Sequence, residues 1–474
     1  MTSNARHDRP AGTIRQKSMP HLREITDRSL TAEARRIARL AWPIILTNLN
    51  WTIMHLVDVA VVGLAGTHEL GALAAGRVLN FVILMLLLSG MSGIVVFTSR
   101  ADGGGDLPRT GGLWREAVLT GLLLGLPSAL IIGLSARPLL ALTGVAPDLI
   151  EPGAAVLVAM MVGLPGQMLL IACGYFLEGV SSPRRVLAVN LGTLPFNAAL
   201  AYAMTLGHLG FPPMGAVGAA LATSITSTIG GLAMALLAWT LPSAPARNLH
   251  RLDAAAWLDA LRGIPAIIRF GTMPGIGAAM EVLGFSFLII LSTWMGDVVA
   301  GAFQVMLSLH NIGFALALGL GSAAGVRVGN AVGAGEPWTA RGRTLIASGL
   351  SMVIMGSVVL VYLLFAGPIV NGLTADAAVA REAVLMVLIL APFILADGLQ
   401  AIFVAALRSL GDQVVAAING VIAFFAVMCL AGWAGWHFGW GSAGLAIASA
   451  VGMVAAMLLQ AARFWQVSSR YRRT

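Results

Sequence analysis

A few carboxyl groups interrupt long apolar segments of this sequence. Of its 21 acidic residues, Asp58, Glu281 and Asp397 lie well inside such segments, and Glu178 lies close to the end of one. A charged side chain in apolar surroundings is costly, so each of these acids is a candidate functional group. Carboxylate oxygens are preferred ligands of hard cations such as Na⁺, and the same groups exchange protons. Asp58, Glu281 and Asp397 are therefore predicted to handle a coupling ion, either Na⁺ or H⁺, and Glu281 and Asp397 are candidate Na⁺ ligands.

Other polar residues in the apolar segments could support these acids. His55 precedes Asp58 by three residues and shares its helix face, so the two could share a proton, or His55 could simply satisfy the carboxyl group. Gln304 could add an amide oxygen near Glu281 and Asp397. His310 is predicted to be a hydrogen-bonded core histidine.

Prolines and aromatic residues in the same segments leave two interpretations open. Pro392 lies five residues before Asp397, so a bend there could follow the charge state of that acid, or it could be ordinary kinked packing. Aromatic rings could line a cavity and bind organic cations through their π faces, or pack against lipid and core. The rings in question are Trp42, Trp51, Phe285 and Phe393.

The elements that carry these residues are long apolar helices. The chain has 474 residues, of which 58% are hydrophobic and 11% charged, and its mean hydropathy is +0.87. This composition excludes an ordinary soluble enzyme, a disordered chain and a disulfide scaffold. Because one membrane span needs about 20 apolar residues, the pattern predicts an all-α membrane protein with twelve transmembrane helices. The predicted spans are 37–62, 72–99, 113–135, 153–177, 184–206, 215–241, 264–292, 298–326, 343–366, 383–407, 413–437 and 441–463.

Basic residues are distributed according to this topology. If the N-terminus is cytoplasmic, only Arg77, Arg137 and Arg381 of the 29 Lys and Arg residues fall outside cytoplasmic segments. This bias predicts cytoplasmic termini and contact with anionic lipid headgroups. The net charge of +8 is explained in the same way, so no nucleic-acid partner is expected. No arginine is expected inside a span.

An internal repeat divides the chain into two halves. Residues 37–50 resemble 267–281, with Pro43 matching Pro274, and the glycine-rich segment 100–106 resembles 329–336. One repeat contains six helices, an even number, which predicts two parallel copies around a central cleft. Glycines in the two glycine-rich segments are predicted to form tight turns with positive φ rather than phosphate-binding loops. The predicted organisation is a basic arm (1–36), a first bundle (37–241), a linker (242–263), a second bundle (264–463) and a basic tail (464–474).

Several short motifs in the correct order resemble the multidrug and toxic compound extrusion (MATE) family, closest to its NorM-like branch. They include LAWPIILTNL, VDVAVVGLAGTHELGALA, PPMGAVGAALAT, PGIGAAMEVLGF and ADGLQAIFVAALRSLGD. The resemblance implies a monomeric antiporter in the bacterial inner membrane. It would export cationic amphipathic organic compounds in exchange for Na⁺ or H⁺ by alternating access, with no other cofactor and no enzymatic activity.

The resemblance also implies roles for individual residues. Asp58, Glu281 and Asp397 match the family's acids in helices 1, 7 and 10. Asn197 matches an asparagine grouped with the helix 1 acid, and Gln304 matches a helix 8 glutamine. The chain departs from the family pattern at two positions, with Thr193 in place of an asparagine and Phe393 in place of a tyrosine.

The sequence disfavours two other classes of protein. A lipid-linked precursor flippase of the same superfamily would have a cationic cavity, which the expected absence of intramembrane arginine disfavours. A membrane-embedded transferase would need clustered His and Asp at one interface or a large loop domain, and the sequence contains neither.

Overall fold

The computed structural model describes residues 22–143 and 145–471 of the chain, and within them it contains twelve helices long and apolar enough to cross a membrane. The predicted spans are confirmed, although most helices extend beyond the predicted limits. Numbered α1 to α12, the helices are Leu22–Gly63 (candidate span Leu30–Gly63), Thr67–Gly103, Leu107–Leu134, Pro147–Gly179, Pro183–Leu206, Gly215–Trp239, Ala254–Trp294, Asp297–Gly333, Pro337–Asn371, Ala377–Leu410, Gln413–His437 and Gly441–Ser469. A short helix, Ala136–Leu142, lies between α3 and α4.

Local breaks interrupt four of these helices, one of them a kink at Phe365 of α9. In α2, Thr67–Gly90 and Gly93–Gly103 are separated at Met91 and Ser92. In α10 a 3₁₀ turn, Ala391–Phe393, surrounds Pro392, whose ring cannot donate the backbone hydrogen bond of a regular helix. In α11 the segment Val421–Val427 is a π-helix. The proline break therefore lies just before Asp397.

The two halves repeat the same turn geometry where the sequence predicts it. Gly105, between α2 and α3, and Gly335, between α8 and α9, both have φ of +73°. This left-handed conformation is strained for residues with a side chain. Part of the predicted basic arm, residues 1–21, and the last three residues of the predicted tail lie outside the described residues. Residues 22–36 of that arm continue the helix of α1.

Each half has its own hydrophobic core, but α1 and α7 cross between them. Ile37 and Ile44 of α1 belong to the core of the second half, and Ile267 of α7 belongs to the core of the first. With an even number of spans, α1 begins and α12 ends on one side of the bundle, here called the termini side. The crossing segments of α1 and α7 both lie toward that side.

Polar contacts join the halves on the termini side. Both Nε and Nη2 of Arg100 donate to the carbonyl oxygen of Ser409, at 3.2 and 2.9 Å. The Asn330 side-chain amide donates to the carbonyl oxygen of Ser99 at 2.8 Å. These contacts hold the ends of α2, α8 and α10 together.

Two further contacts involve carboxylates. Glu178 accepts a hydrogen bond from Ser322 at 2.8 Å, so the acid near the end of α4 bridges to α8. Glu33 of α1 accepts two hydrogen bonds from the guanidinium of Arg327, at 2.7 and 2.8 Å. This paired geometry fixes the start of α1 against the second half.

Glycines allow close backbone contact between the two halves on the termini side. We call this interface, where Gly333 meets Arg100 and Gly271 meets Gly90, the seam. A Cβ added at Gly333 would lie 1.8 Å from the carbonyl oxygen of Arg100, and one added at Gly271 would lie 1.8 Å from that of Gly90. The hydrogen bonds joining the halves lie between the middle of the spans and the termini side. The structure is therefore a conformation closed on the termini side.

Candidate functional site

A polar pocket lies inside the first half. It contains about 470 Å³ not filled by protein atoms, part of it open to solvent. Four helices each contribute residues at helical spacing, so each presents one face to the pocket. The lining residues are Met54, His55 and Asp58 of α1, Leu73, Arg77 and Asn80 of α2, Met160, Gly163 and Gln167 of α4, and Ala220, Thr223, Ser224 and Ser227 of α6.

Asp58 is buried at this pocket and is fully engaged in hydrogen bonds. Its side chain is 2% exposed. Oδ1 accepts from the Asn197 side-chain amide at 2.9 Å, and Oδ2 accepts from Arg77 Nη2 and from the Thr223 hydroxyl, each at 3.1 Å. The structure thus places Asn197 against Asp58, and it shows that Thr223 and Arg77 are further hydrogen-bond donors to this carboxylate.

Arg77 corrects the expectation that no arginine lies inside a span. It is ten residues from the start of α2, and its side chain is 23% exposed. The charge count treated it as a flanking residue at the edge of the predicted span 72–99, whereas the helix begins ten residues before it and carries it to the carboxylate of Asp58. Because a guanidinium stays protonated in proteins, Asp58 has a permanent positive partner.

The structure does not join the side chain of His55 to Asp58, which the sequence left as one of two possibilities. The histidine shares the pocket, but its Nδ1 is buried without a hydrogen-bond partner among the described residues, and only its backbone carbonyl accepts from Arg77, at 3.4 Å. Among the described residues, Thr193 makes no hydrogen bond to Asp58. Its hydroxyl donates to the carbonyl oxygen of Asn190 at 2.9 Å.

Close packing of α4 against α6 positions the hydroxyl groups of the pocket. A Cβ on Gly163 would lie within 2.5 Å of three atoms of Ser224, so only glycine allows this approach. The Ser224 hydroxyl donates to the carbonyl oxygen of Ala159 at 2.7 Å. The hydroxyl of the preceding residue, Thr223, donates to Asp58. The sequence signal for this face was polar residues at 223, 224 and 227, which share one side of a helix.

The second half holds a different acid and base pair. Asp397 is 2% exposed and His310 is 5% exposed. Asp397 Oδ2 and His310 Nε2 are 3.3 Å apart, and neither atom has a well-aligned hydrogen bond to any described residue. The imidazole stacks on Phe285 with ring centroids 5.4 Å apart. His310 is therefore the basic partner of Asp397, beyond its predicted role as a core histidine.

Glu281 of α7 lies within electrostatic range of Asp397 and of Arg408. It is partly buried, and its carboxylate accepts no hydrogen bond from the described residues. Arg408, near the termini-side end of α10, has a buried Nε that also lacks a partner there. Glu281 is thus an acid without a hydrogen-bond partner among the described residues, within electrostatic range of Asp397.

Two other predicted residues lie near this pair in the chain but make fewer contacts. Gln304 is exposed on α8, and no described hydrogen bond joins its side chain to the acids. Phe393 is 37% exposed in the 3₁₀ turn before Asp397. Among residues 22–143 and 145–471, no group of three or more His, Cys, Asp or Glu side chains is arranged to hold a metal ion.

Two related six-helix halves with buried acid and base pairs define a class of protein, the multi-pass membrane transporters. Comparison with known proteins assigns the family within that class. The MatE family model matches residues 43–203 and 275–433, so the chain belongs to the MatE family.

Curated relatives and solved structures agree with this assignment. The chain is 30% identical over 460 residues to the probable multidrug resistance protein NorM of Xanthomonas campestris pv. campestris, covering 96% of this chain and 98% of that protein. It is 28% identical to the multidrug resistance protein PmpM of Pseudomonas aeruginosa, over 84% of this chain and 83% of that one. The fold is similar to that of the Vibrio cholerae MATE transporter VcmN in the bent form. The TM-score is 0.81 at 21% identity, and the match covers 94% of this chain and 99% of that one.

Proposed function

We propose that this protein is an antiporter that exports cationic amphipathic organic compounds in exchange for Na⁺ or H⁺ by alternating access. The observation that carries the proposal is the contrast between the two buried acids. Asp58 is bound by a permanently charged arginine, whereas Asp397 faces the imidazole of His310 and lies near Glu281. The second half therefore contains the carboxylates that can gain and lose a cation.

Competition for these carboxylates would couple the two fluxes. Glu281 and Asp397 together carry up to two negative charges, and the imidazole of His310 lies 3.3 Å from the carboxylate of Asp397. An ion bound there removes the charge that attracts an organic cation, so the two are not held tightly at once. Because a ligand shifts a conformational equilibrium only through differential affinity, the ion and the organic cation must favour opposite states.

The same proposal includes the location, orientation and oligomeric state of the protein. We infer a monomer in the bacterial inner membrane with both termini cytoplasmic, since the basic residues gather on the termini side. In that orientation, the seam closes the cytoplasmic side and the structure is outward-facing. The protein acts as a transporter rather than an enzyme, contacts lipid headgroups and has no nucleic-acid partner. Arg77 does not create the cationic cavity of a flippase, because Asp58 neutralises it.

The test is efflux of a fluorescent organic cation from proteoliposomes under separately imposed Na⁺ and pH gradients. We expect one of the two gradients to drive efflux by the wild type. Asp397→Asn should abolish the gradient-driven component. Asp148→Asn, which changes an exposed acid at the start of α4, is the matched control and should retain it. Gradient-driven efflux by Asp397→Asn at the wild-type rate would remove the residue from the mechanism.

A further inference from the structure

One face of α1 is exposed on the termini side and changes from basic to apolar along the helix. Its exposed residues are Arg35, Arg39, Trp42 and Leu46. Because each residue of an α-helix turns by about 100°, these four lie within an arc of about 60° around the helix axis. No Lys, Arg, Asp or Glu follows Arg39 until Asp58. The face therefore passes from polar to apolar surroundings near Trp42.

The start of α5 lies at the same level. Arg184 is the second residue of α5, and its Cζ atom lies 5.7 Å from the centroid of the Trp42 ring. This distance is within the range of a cation–π interaction. Tryptophan is enriched where lipid headgroups meet the hydrocarbon of a membrane. Two helices thus independently place the boundary of the membrane at Trp42.

The arginines around Trp42 carry positive charges that no acid balances. Among the described residues, Arg35, Arg39 and Arg184 form no ion pair, whereas Arg36 lies 3.9 Å from Glu33. Glu33 is itself bound to Arg327 and so belongs to the contact between the halves. A cluster of like charges without a counter-charge attracts an anion.

Apolar side chains continue the surface into the membrane. Leu46 of α1 is 40% exposed and Leu191 of α5 is 50% exposed. Leu191 follows Arg184 by seven residues, about two turns, so it lies on the same face of α5. A Cβ added at the next residue, Gly192, would meet no atom within 4 Å, so this face is open. A soluble anion could use only the arginines, whereas a phospholipid uses both parts of the surface.

We propose that this surface binds an anionic phospholipid from the leaflet on the termini side. The headgroup phosphate lies against Arg39 and Arg184 beside the ring of Trp42, and Arg35 adds a third positive charge. An acyl chain runs along Leu46 and Leu191. We call this surface the lipid site, and it consists of Arg35, Arg39, Trp42, Leu46, Arg184 and Leu191.

A photocrosslinking experiment can locate and measure this binding. The full-length protein is placed in phosphatidylcholine nanodiscs with increasing mole fractions of a phosphatidylglycerol that carries a photoreactive group next to its headgroup. Crosslinked peptides are then quantified by mass spectrometry. We expect saturable crosslinks to the termini-side parts of α1 and α5. Unlabelled phosphatidylglycerol should compete for them, and inorganic phosphate in the buffer should not.

Variants test the contribution of each side chain through the mole fraction that half-saturates these crosslinks. Arg39→Gln and Arg184→Gln should each raise it roughly fivefold, because each removes one charge near the headgroups. Trp42→Leu keeps an apolar side chain without the indole ring, and it should raise the value roughly two- to fivefold. Arg269→Gln is the matched control and should leave it unchanged. Arg269 is exposed on α7, in the segment that the internal repeat matches to this part of α1.

Three results would overturn the proposal. The first is a half-saturating mole fraction in the Arg39→Gln and Arg184→Gln double variant equal to that in Arg269→Gln. The second is crosslinks spread evenly over all termini-side segments. The third is displacement of the probe by inorganic phosphate, which would assign the arginines to a soluble anion. Because the substituted side chains are exposed, an unchanged melting temperature should accompany each variant.

Discussion

Replacing Gly333 by alanine should destabilise the conformation closed on the termini side. The added Cβ would lie 1.8 Å from the carbonyl oxygen of Arg100, whereas ordinary contacts begin at 3.4 Å, so the backbones must separate by 3.4 − 1.8 = 1.6 Å. The next nearest atoms are also backbone atoms of Arg100, at 2.6 and 2.9 Å, and no flexible side chain can move aside.

The cost of such overpacking is about 1 to 3 kcal/mol. In an equilibrium between closed and open states, this corresponds to a population shift of roughly 5- to 150-fold toward the open state. The open state has no such clash if the halves separate at the seam. Gly333→Ala should therefore populate the conformation open on the termini side.

Electron spin resonance distance measurements can follow this shift. Spin labels at Arg184→Cys and Val414→Cys, exposed positions near the starts of α5 and α11, report the separation of the halves. The background would lack the native Cys173 and Cys429. Gly356→Ala is the control, since its Cβ would meet no atom within 4 Å. Identical distance distributions for Gly333→Ala and Gly356→Ala would refute the reasoning.

Two further predictions concern the ends of α1 and α7. Glu33→Gln weakens the paired contact with Arg327, whose side chain is 14% exposed. This variant should lower the melting temperature of the purified protein by the equivalent of about 1 to 3 kcal/mol. Glu151→Gln, at an exposed ion pair, should leave the melting temperature unchanged. An equal melting temperature for both variants would contradict this. Asp253 caps α7 by accepting from the Ala256 amide, and its hydrogen bond from Arg251 is the main cause that lowers its pKa from the usual 3.8. The cap is therefore stabilising above about pH 4 and is lost as the pH falls through the lowered pKa. Amide exchange at Ala256, corrected for intrinsic rates, should accelerate in that acidic range in the wild type but not in Asp253→Ala.

The sequence predicted the acids of the site better than their partners. Asp58 and Asp397 stand out because a carboxylate in an apolar segment is rare, whatever surrounds it. Arg77 does not stand out, because it lies near one end of the predicted span 72–99, where a charge count treats an arginine as a flanking residue. Thr223 is an ordinary residue of a transmembrane helix, and only the packing of α6 reveals its contact with Asp58.

Helix geometry explains why one predicted partner was replaced by another. Gln304 and His310 are six residues apart on α8, which places them about 240° apart around its axis. Only one of them can face Asp397, and the orientation of α8 selects His310. The crossing of α1 into the core of the second half likewise depends on long-range packing, which local patterns do not contain.

Reversal of the exchange tests the central claim most directly. Proteoliposomes would be given an outward gradient of a fluorescent organic cation and no initial ion gradient, with the membrane potential clamped, and the ion content of the lumen would be followed with Na⁺-sensitive and pH-sensitive probes. We predict that efflux of the organic cation drives Na⁺ or H⁺ inward against its developing gradient, and that Asp397→Asn abolishes this movement. Efflux of the organic cation by the wild type with no ion entry would contradict coupled exchange.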